Sequence, residues 1–273
     1  KDKIMKNFIK ISLLLFALIF SGCISSTTSA GNIGADRKQL ILVNSDAMNQ
    51  SAQKSYDAII LAAKNQGKLN QNEIQSKRVE NISAKLIAQS VSFRQDALNW
   101  QWQVALISSN KLNAWCMPGG KIAVYTGIIE KLNLTDGELA AIIGHEIAHA
   151  LREHSAEQAS SNMLTNIGLG AITKVAGLDG LSQSALGIAA KYTLEMPFSR
   201  SHEKEADHIG AELMARAGYD PNEAVNVWIK MSKLSSLSTP EILSTHPSNE
   251  SRIQDLQEIA KKVYPLYLQA TSK

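Results

Sequence analysis

Apolar residues recur at helical spacing over residues 38–63 and 72–89, with Ile74, Val79, Ile82 and Leu86 marking the second stretch. Positions three and four apart share one face of a helix, so two amphipathic helices are expected here. The period then changes. Trp100, Trp102, Val104 and Leu106 alternate with other residues and stop at Ser108-Ser109-Asn110, the period of two that a strand requires. Residues 113–117 and 121–125 flank Pro118-Gly119-Gly120 and predict a second strand pair, joined as a hairpin or kinked strand. Thr135 and Glu138 have the spacing of a capping box and open a helix expected over 136–154. Further helices are expected over 201–217, 221–234 and 248–263. Residues 160–190 are rich in Gly, Ala and Ser with periodic Leu and Ile, but Lys174 and Asp179 interrupt them. Closely packed small-residue helices are therefore preferred there to a membrane span. No internal repeat is present. The pattern predicts a mainly α protein with a small β-sheet (α+β).

The first residues follow a different logic. Lys1, Lys3, Lys6 and Lys10 precede an apolar run over 11–20 that ends at Ser21-Gly22-Cys23. A basic start, about ten apolar residues and a small-residue cleavage site describe a secretory signal peptide, here 1–22. The run is shorter than the roughly 20 apolar residues of a membrane span. Phe20-Ser21-Gly22-Cys23 resembles the bacterial lipobox, with Phe where Leu is commoner. That resemblance implies an acylated Cys23 as the first mature residue, and with Ile24-Ser25 following it favours the outer membrane of a Gram-negative bacterium, facing the periplasm. An ordinary cleaved signal, with Cys23 incidental, is the alternative. Residues 25–34 read as a Ser/Thr/Gly-rich tether, so 23–36 is expected to be anchor and linker. A single domain over 37–264 follows, with N-terminal helices at 37–95 and a core at 100–264, then a tail at 265–273. With Cys23 acylated, Cys116 is the one remaining cysteine and no intramolecular disulfide can form.

Composition narrows the class further. Of 273 residues, 44% are apolar and 19% charged, which suits a globular chain and not a disordered one. The net charge of +3 is small and Lys and Arg are scattered, so a nucleic-acid partner is excluded.

The chemistry lies in His145-Glu146-Ile147-Ala148-His149. Residues four apart on a helix face the same way, so both imidazoles can converge on one zinc ion, a metal suited to imidazole and carboxylate ligands. Glu146 stands beside the first ligand, where it can act as general base toward a metal-polarised water. The flanking apolar residues bury this helix, where His and Glu without partners would be costly. A catalytic zinc needs a third protein ligand. Glu203 and Asp207 are again four apart; on spacing alone they are either a ligand with its supporting carboxylate or part of a solvated charged face with Lys204 and Glu205.

Taken together, the His-Glu-x-x-His helix, the string Ser199-Arg200-x-x-Glu203-x-Glu205-Ala206-Asp207, and Thr245-His246-Pro247 with Arg252 resemble the gluzincin metallopeptidases related to the CAAX prenyl proteases and Oma-type proteases. The resemblance runs from about Trp102 to Leu256 and is nearest to the small lipoprotein members of Gram-negative envelopes, which degrade or process misfolded outer-membrane proteins. It implies a zincin-like domain with one zinc held by His145, His149 and Glu203, Glu146 as base, and Asp207 supporting a ligating ring. Polypeptide substrates follow, and docking on the outer-membrane β-barrel assembly machinery is permitted. Asn113-Ala114-Trp115 resembles the family's strand beside the cleft, whose exposed edge would take an extended peptide through main-chain hydrogen bonds; a plain structural hairpin is the alternative. The resemblance places His246 near the metal, either donating to the developing oxyanion or capping the zinc in a resting state; a surface His is the third reading. Arg252 is expected in a structural ion pair. His154, His202 and His208 are read as surface or packing residues.

Two rivals stand beside the peptidase. A deformylase-like site would take Cys116 in place of Glu203. A periplasmic chaperone or assembly factor for outer-membrane proteins would keep the metal only for stability.

Overall fold

The structure, a computed structural model, describes residues 24–175, 187–235, 241–246 and 250–272. The expected signal peptide over 1–22, Cys23 and residues 176–186 of the small-residue stretch lie outside the described residues. Short strands β1 (Ile24–Ser25) and β2 (Gln39–Leu40) pair antiparallel. Helices α1 (Ser45–Asn65) and α2 (Glu73–Gln89) follow, opened by Asn44 and Asn72, whose side chains accept from the backbone N–H of Ala47 and Gln75. The Asn44 cap is why the first helix starts later than its apolar spacing suggested: the side chain satisfies a backbone donor that has no partner inside the helix.

Strands β3 (Gln103–Ile107), β4 (Ala114–Met117) and β5 (Lys121–Tyr125) form one sheet in the order β3-β5-β4, with β3 parallel and β4 antiparallel to β5. The hairpin turn needs glycine. Gly119 and Gly120 have φ of 74° and 80°, and a Cβ on Gly120 would meet the Trp102 ring at 2.5 Å. Alternation along the strands divides two cores. Cys116, Ile122 and Val124 face the main cluster, whereas Trp115, Met117 and Ala123 pack with Met48, Ala52 and Tyr56 of α1.

The helices α3 (Thr126–Lys131), α4 (Asp136–Leu151), α5 (His154–Val175), α6 (Arg200–Arg216), α7 (Asn222–Ser235), α8 (Glu241–Thr245) and α9 (Glu250–Thr271) follow, with short helical turns at Ser90–Ser92, Gln95–Asn99, Ile188–Ala190 and Lys191–Glu195. The capping box of α4 is present: Thr135 Oγ1 accepts from the Glu138 N–H, and Glu138 Oε2 accepts from the Thr135 N–H. Leu139, Ile143, Ile147 and Leu151 are fully buried, because α4 is packed by α2, α6, α7 and β4. Among the described residues no helix is long and apolar enough to cross a membrane.

Two expectations are corrected. The supposed tether is a docked arm. Thr28 and Gln39 are buried, Arg152 donates to Ser26 Oγ and Thr28 Oγ1, and the Asn32 N–H donates to Glu212. The hydroxyls that signalled a solvated linker instead satisfy a buried guanidinium. The supposed tail is helical to Thr271, because Leu266 and Tyr267 pack on the main core.

Candidate metal centre

Helix α4 supplies His145, Glu146 and His149, and α6 supplies Glu203 and Asp207. The two helices approach closely because Gly144 and Gly210 meet at their crossing; a Cβ on Gly210 would lie 2.9 Å from the backbone nitrogen of His145. Ser199 caps α6 through the His202 N–H and so fixes the first turn that carries Glu203.

The convergence expected from the spacing is present. His145 Nε2 and His149 Nε2 are 3.1 Å apart, and each is 3.5 Å from a Glu203 carboxylate oxygen. Atoms at about 2.0–2.1 Å from a shared tetrahedral centre stand roughly 3.4 Å apart, so this donor set fits a single divalent metal ion. His246 joins it. Its Nδ1 lies 3.2 Å from His145 Nε2 and 2.9 Å from Glu203 Oε1, and among the described residues these four form the one group with metal-binding geometry. His246 is 2% exposed, so the surface reading is excluded. Cys116 is not in the group and is buried in the main core, which removes the deformylase-like ligand set.

Electrostatics follow from burial and pairing. Burial depresses the His149 pKa well below the usual imidazole value and so preserves the lone pair a metal requires. At His145, burial is outweighed by hydrogen bonds to Asp207 and Glu203, which raise the pKa to about 9, so protons compete for this ring. The Asp207 carboxylate is 3.0 Å from His145 Nδ1 and fixes its tautomer. Arg252 ties the two carboxylates together, with Nε 2.5 Å from Asp207 Oδ2 and Nη1 2.6 Å from Glu203 Oε2. Its guanidinium stacks on Trp228. Burial foremost raises the Glu146 carboxyl pKa, and its Oε1 has no hydrogen-bond partner; His246 Nε2 is 3.5 Å from it. An unpartnered buried carboxylate oxygen beside these imidazoles has the position a general base toward a metal-polarised water requires. An apolar pocket lined by Ala141, Ile142, Val227, Trp228 and Met231 opens on His145 and Glu146.

The strand Asn113-Ala114-Trp115 stands at the sheet edge as expected, but it is buried. Its side chains face α4 and α1 in alternation, and the turn at Lys191–Glu195 contacts it. The exposed edge is therefore corrected to a covered one. Sequence reasoning missed His154. It is fully buried, and its Nδ1 stands 2.9 Å from the Nδ1 of His149. The sole signal was a fifth-residue spacing after His149. His202 is buried beside it, with Nε2 3.2 Å from Glu157 Oε2, whereas His208 is partly exposed and pairs with Asp255.

The comparisons agree with this geometry. The model of peptidase family M48 matches residues 73–260. The chain is 38% identical over 151 residues to the mitochondrial metalloendopeptidase OMA1 of Arabidopsis thaliana, covering 55% of this chain and 30% of that protein. It is 28% identical over 277 residues to the mitochondrial metalloendopeptidase OMA1 of Homo sapiens, covering 95% of this chain and 51% of that one. To the Beta-barrel assembly-enhancing protease of Escherichia coli it is 30% identical over 178 residues, 61% of this chain and 36% of that protein. The chain thus spans about a third to a half of these relatives' length.

Proposed function

Because the chain belongs to peptidase family M48, we propose that it is a zinc-dependent endopeptidase acting on misfolded or unassembled envelope proteins. The observation that carries the reading is the approach of Glu203, from a separate helix, to within 3.5 Å of both α4 imidazoles beside an unpartnered Glu146 oxygen.

His145, His149 and Glu203 would hold the zinc. When bound, the ion supplies Lewis acidity toward the scissile carbonyl and an attacking water. The Glu146 carboxylate accepts a proton from that water and returns it to the amide nitrogen as the C–N bond breaks. Its raised pKa, due first to burial, brings it nearer the working pH. Asp207 and Arg252 hold His145 and Glu203 in place. His246 is within bonding range of the same centre, which supports the capping reading over the oxyanion one.

The basic and apolar N-terminus ending in the Cys23 lipobox supports a lipid-anchored protein at the outer membrane, facing the periplasm. A relative named for enhancing β-barrel assembly supports outer-membrane proteins as substrates and the β-barrel assembly machinery as a partner. The relatives named mitochondrial carry a different address, one of them over 95% of this chain, so the envelope reading rests on the N-terminal pattern of this chain.

Glu146→Gln tests the function. The variant is expected to bind zinc like the parent and to lose at least about 10²-fold in casein hydrolysis. Unimpaired hydrolysis overturns the assigned base, and unchanged envelope function in the inactive variant would favour a metal-stabilised chaperone.

A further inference from the structure

We infer that His154 and Glu205 form a buried hydrogen-bonded relay that positions the ring of His149, and that the N-terminal arm holds its far end. This rests on the reading of His149 as a metal ligand.

His149 directs Nε2 at the cluster, so its Nδ1 carries the hydrogen. That N–H faces His154 Nδ1 at 2.9 Å. Acceptance there leaves His154 its hydrogen on Nε2, and this atom lies 3.1 Å from Glu205 Oε2. One tautomer of each ring satisfies the whole chain of contacts. Any other arrangement of neutral rings sets two lone pairs or two N–H groups against each other in a dry interior, which is costly. His154 is fixed on its other side by stacking on His202, with ring centroids 4.4 Å apart. Glu205 is fixed in turn. Arg152 Nε donates to its Oε2 at 3.0 Å, and Arg37 of the arm donates to both of its oxygens. Arg37 also grips Glu157 through two hydrogen bonds, at 2.8 and 2.9 Å.

The two imidazoles are therefore held from α6 by unlike means. Asp207 reaches His145 directly, whereas Glu205 reaches His149 through an interposed ring. Partners of this kind orient a ligating imidazole and raise its basicity, and their loss costs about 10–100-fold in metal affinity.

The test is zinc affinity of the full chain, measured by competition with a chromophoric chelator, so that the readout does not depend on turnover. His154→Ala is expected to bind zinc about 10–100-fold more weakly than the parent. His154→Asn leaves a similar gap but returns an amide to the Nδ1 position, and is expected to recover part of that loss. Equal affinity of the two variants, or parental affinity in His154→Ala, overturns the relay. Should the alanine chain fail to fold, Asn against Gln makes the same comparison. Asn reaches the Nδ1 position and Gln the Nε2 position, and Asn is expected to bind more tightly; equality overturns the relay. His149→Ala separates the two readings. If it retains parental affinity, the ligand assignment fails; if it loses zinc while His154→Ala does not, only the relay fails.

Discussion

Arg252 is a single cation between two buried carboxylates, bonded to Asp207 and Glu203 and covered by Trp228. Removing one partner from a buried ion cluster leaves uncompensated charge, at a cost of about 3–5 kcal/mol. Arg252→Met is therefore expected to lose stability on that scale in urea unfolding of chelator-treated protein. His246 offers a sharper functional contrast. As a cap it competes with substrate, so His246→Ala is expected to raise peptide hydrolysis severalfold in a fluorogenic assay; a large loss would restore the oxyanion role. The His145–His149 pair and Glu146 were legible in the sequence because metal ligation imposes a spacing on one helix. His154 was not. In a continuous helix the fifth residue after His149 points well away from it. Here α4 ends at Leu151 and Glu153 takes φ +51°, folding the chain so that His154 returns to the His149 ring. That backbone state is uncommon for a glutamate, and Arg94 and Ser45 anchor the residue by donating to its carboxylate.

The crossing of α4 and α6 sets how far Glu203 stands from the two imidazoles. Gly210 packs against the backbone of Gly144 and His145, so a methyl group there must push the helices apart. Gly210→Ala is expected to cost about 1–3 kcal/mol by overpacking and to weaken zinc binding, read by thermal unfolding and chelator competition. Retained affinity would show that the crossing tolerates expansion. The start of α4 was legible through Thr135 and Glu138, since a capping box is a local device. The crossing was not, because a glycine inside a helix pattern gives no partner. The same limit explains β4. Its place and its hairpin follow from alternation and the Pro118-Gly119-Gly120 turn, but a cover supplied by residues 191–195 has no local signature.

Across the molecule, titration should limit stability at both ends of the pH range. At Glu157 burial opposes ionisation, but hydrogen bonds from His202, Arg37 and Gln39 outweigh it and hold the carboxyl far below its usual value. Glu205 is lowered likewise, with Arg37 and Arg152 overcoming burial. Folded values below unfolded ones mean that this stabilisation is complete above about pH 4.3 and is lost as pH falls further. His145 has the opposite sign. Its value of about 9 exceeds the unfolded one, so its contribution is present in acid and lost as pH rises through about 9. Chelator-treated protein is expected to show a thermal midpoint that falls on both sides. Glu157→Gln should blunt the acid limb, and an unaltered acid limb would exclude this origin.

The docked arm also sets a scale of length. Ile24 and Ser25 already pair with Leu40 and Gln39, so a lipid on Cys23 would be joined to the folded body within a single residue, at most about 4 Å of extended chain. Such a leash gives almost no lateral or vertical reach. A peptidase held this way would ride close against the bilayer in a narrow range of orientations, and would meet chains at the membrane surface before those diffusing freely in the space beyond it.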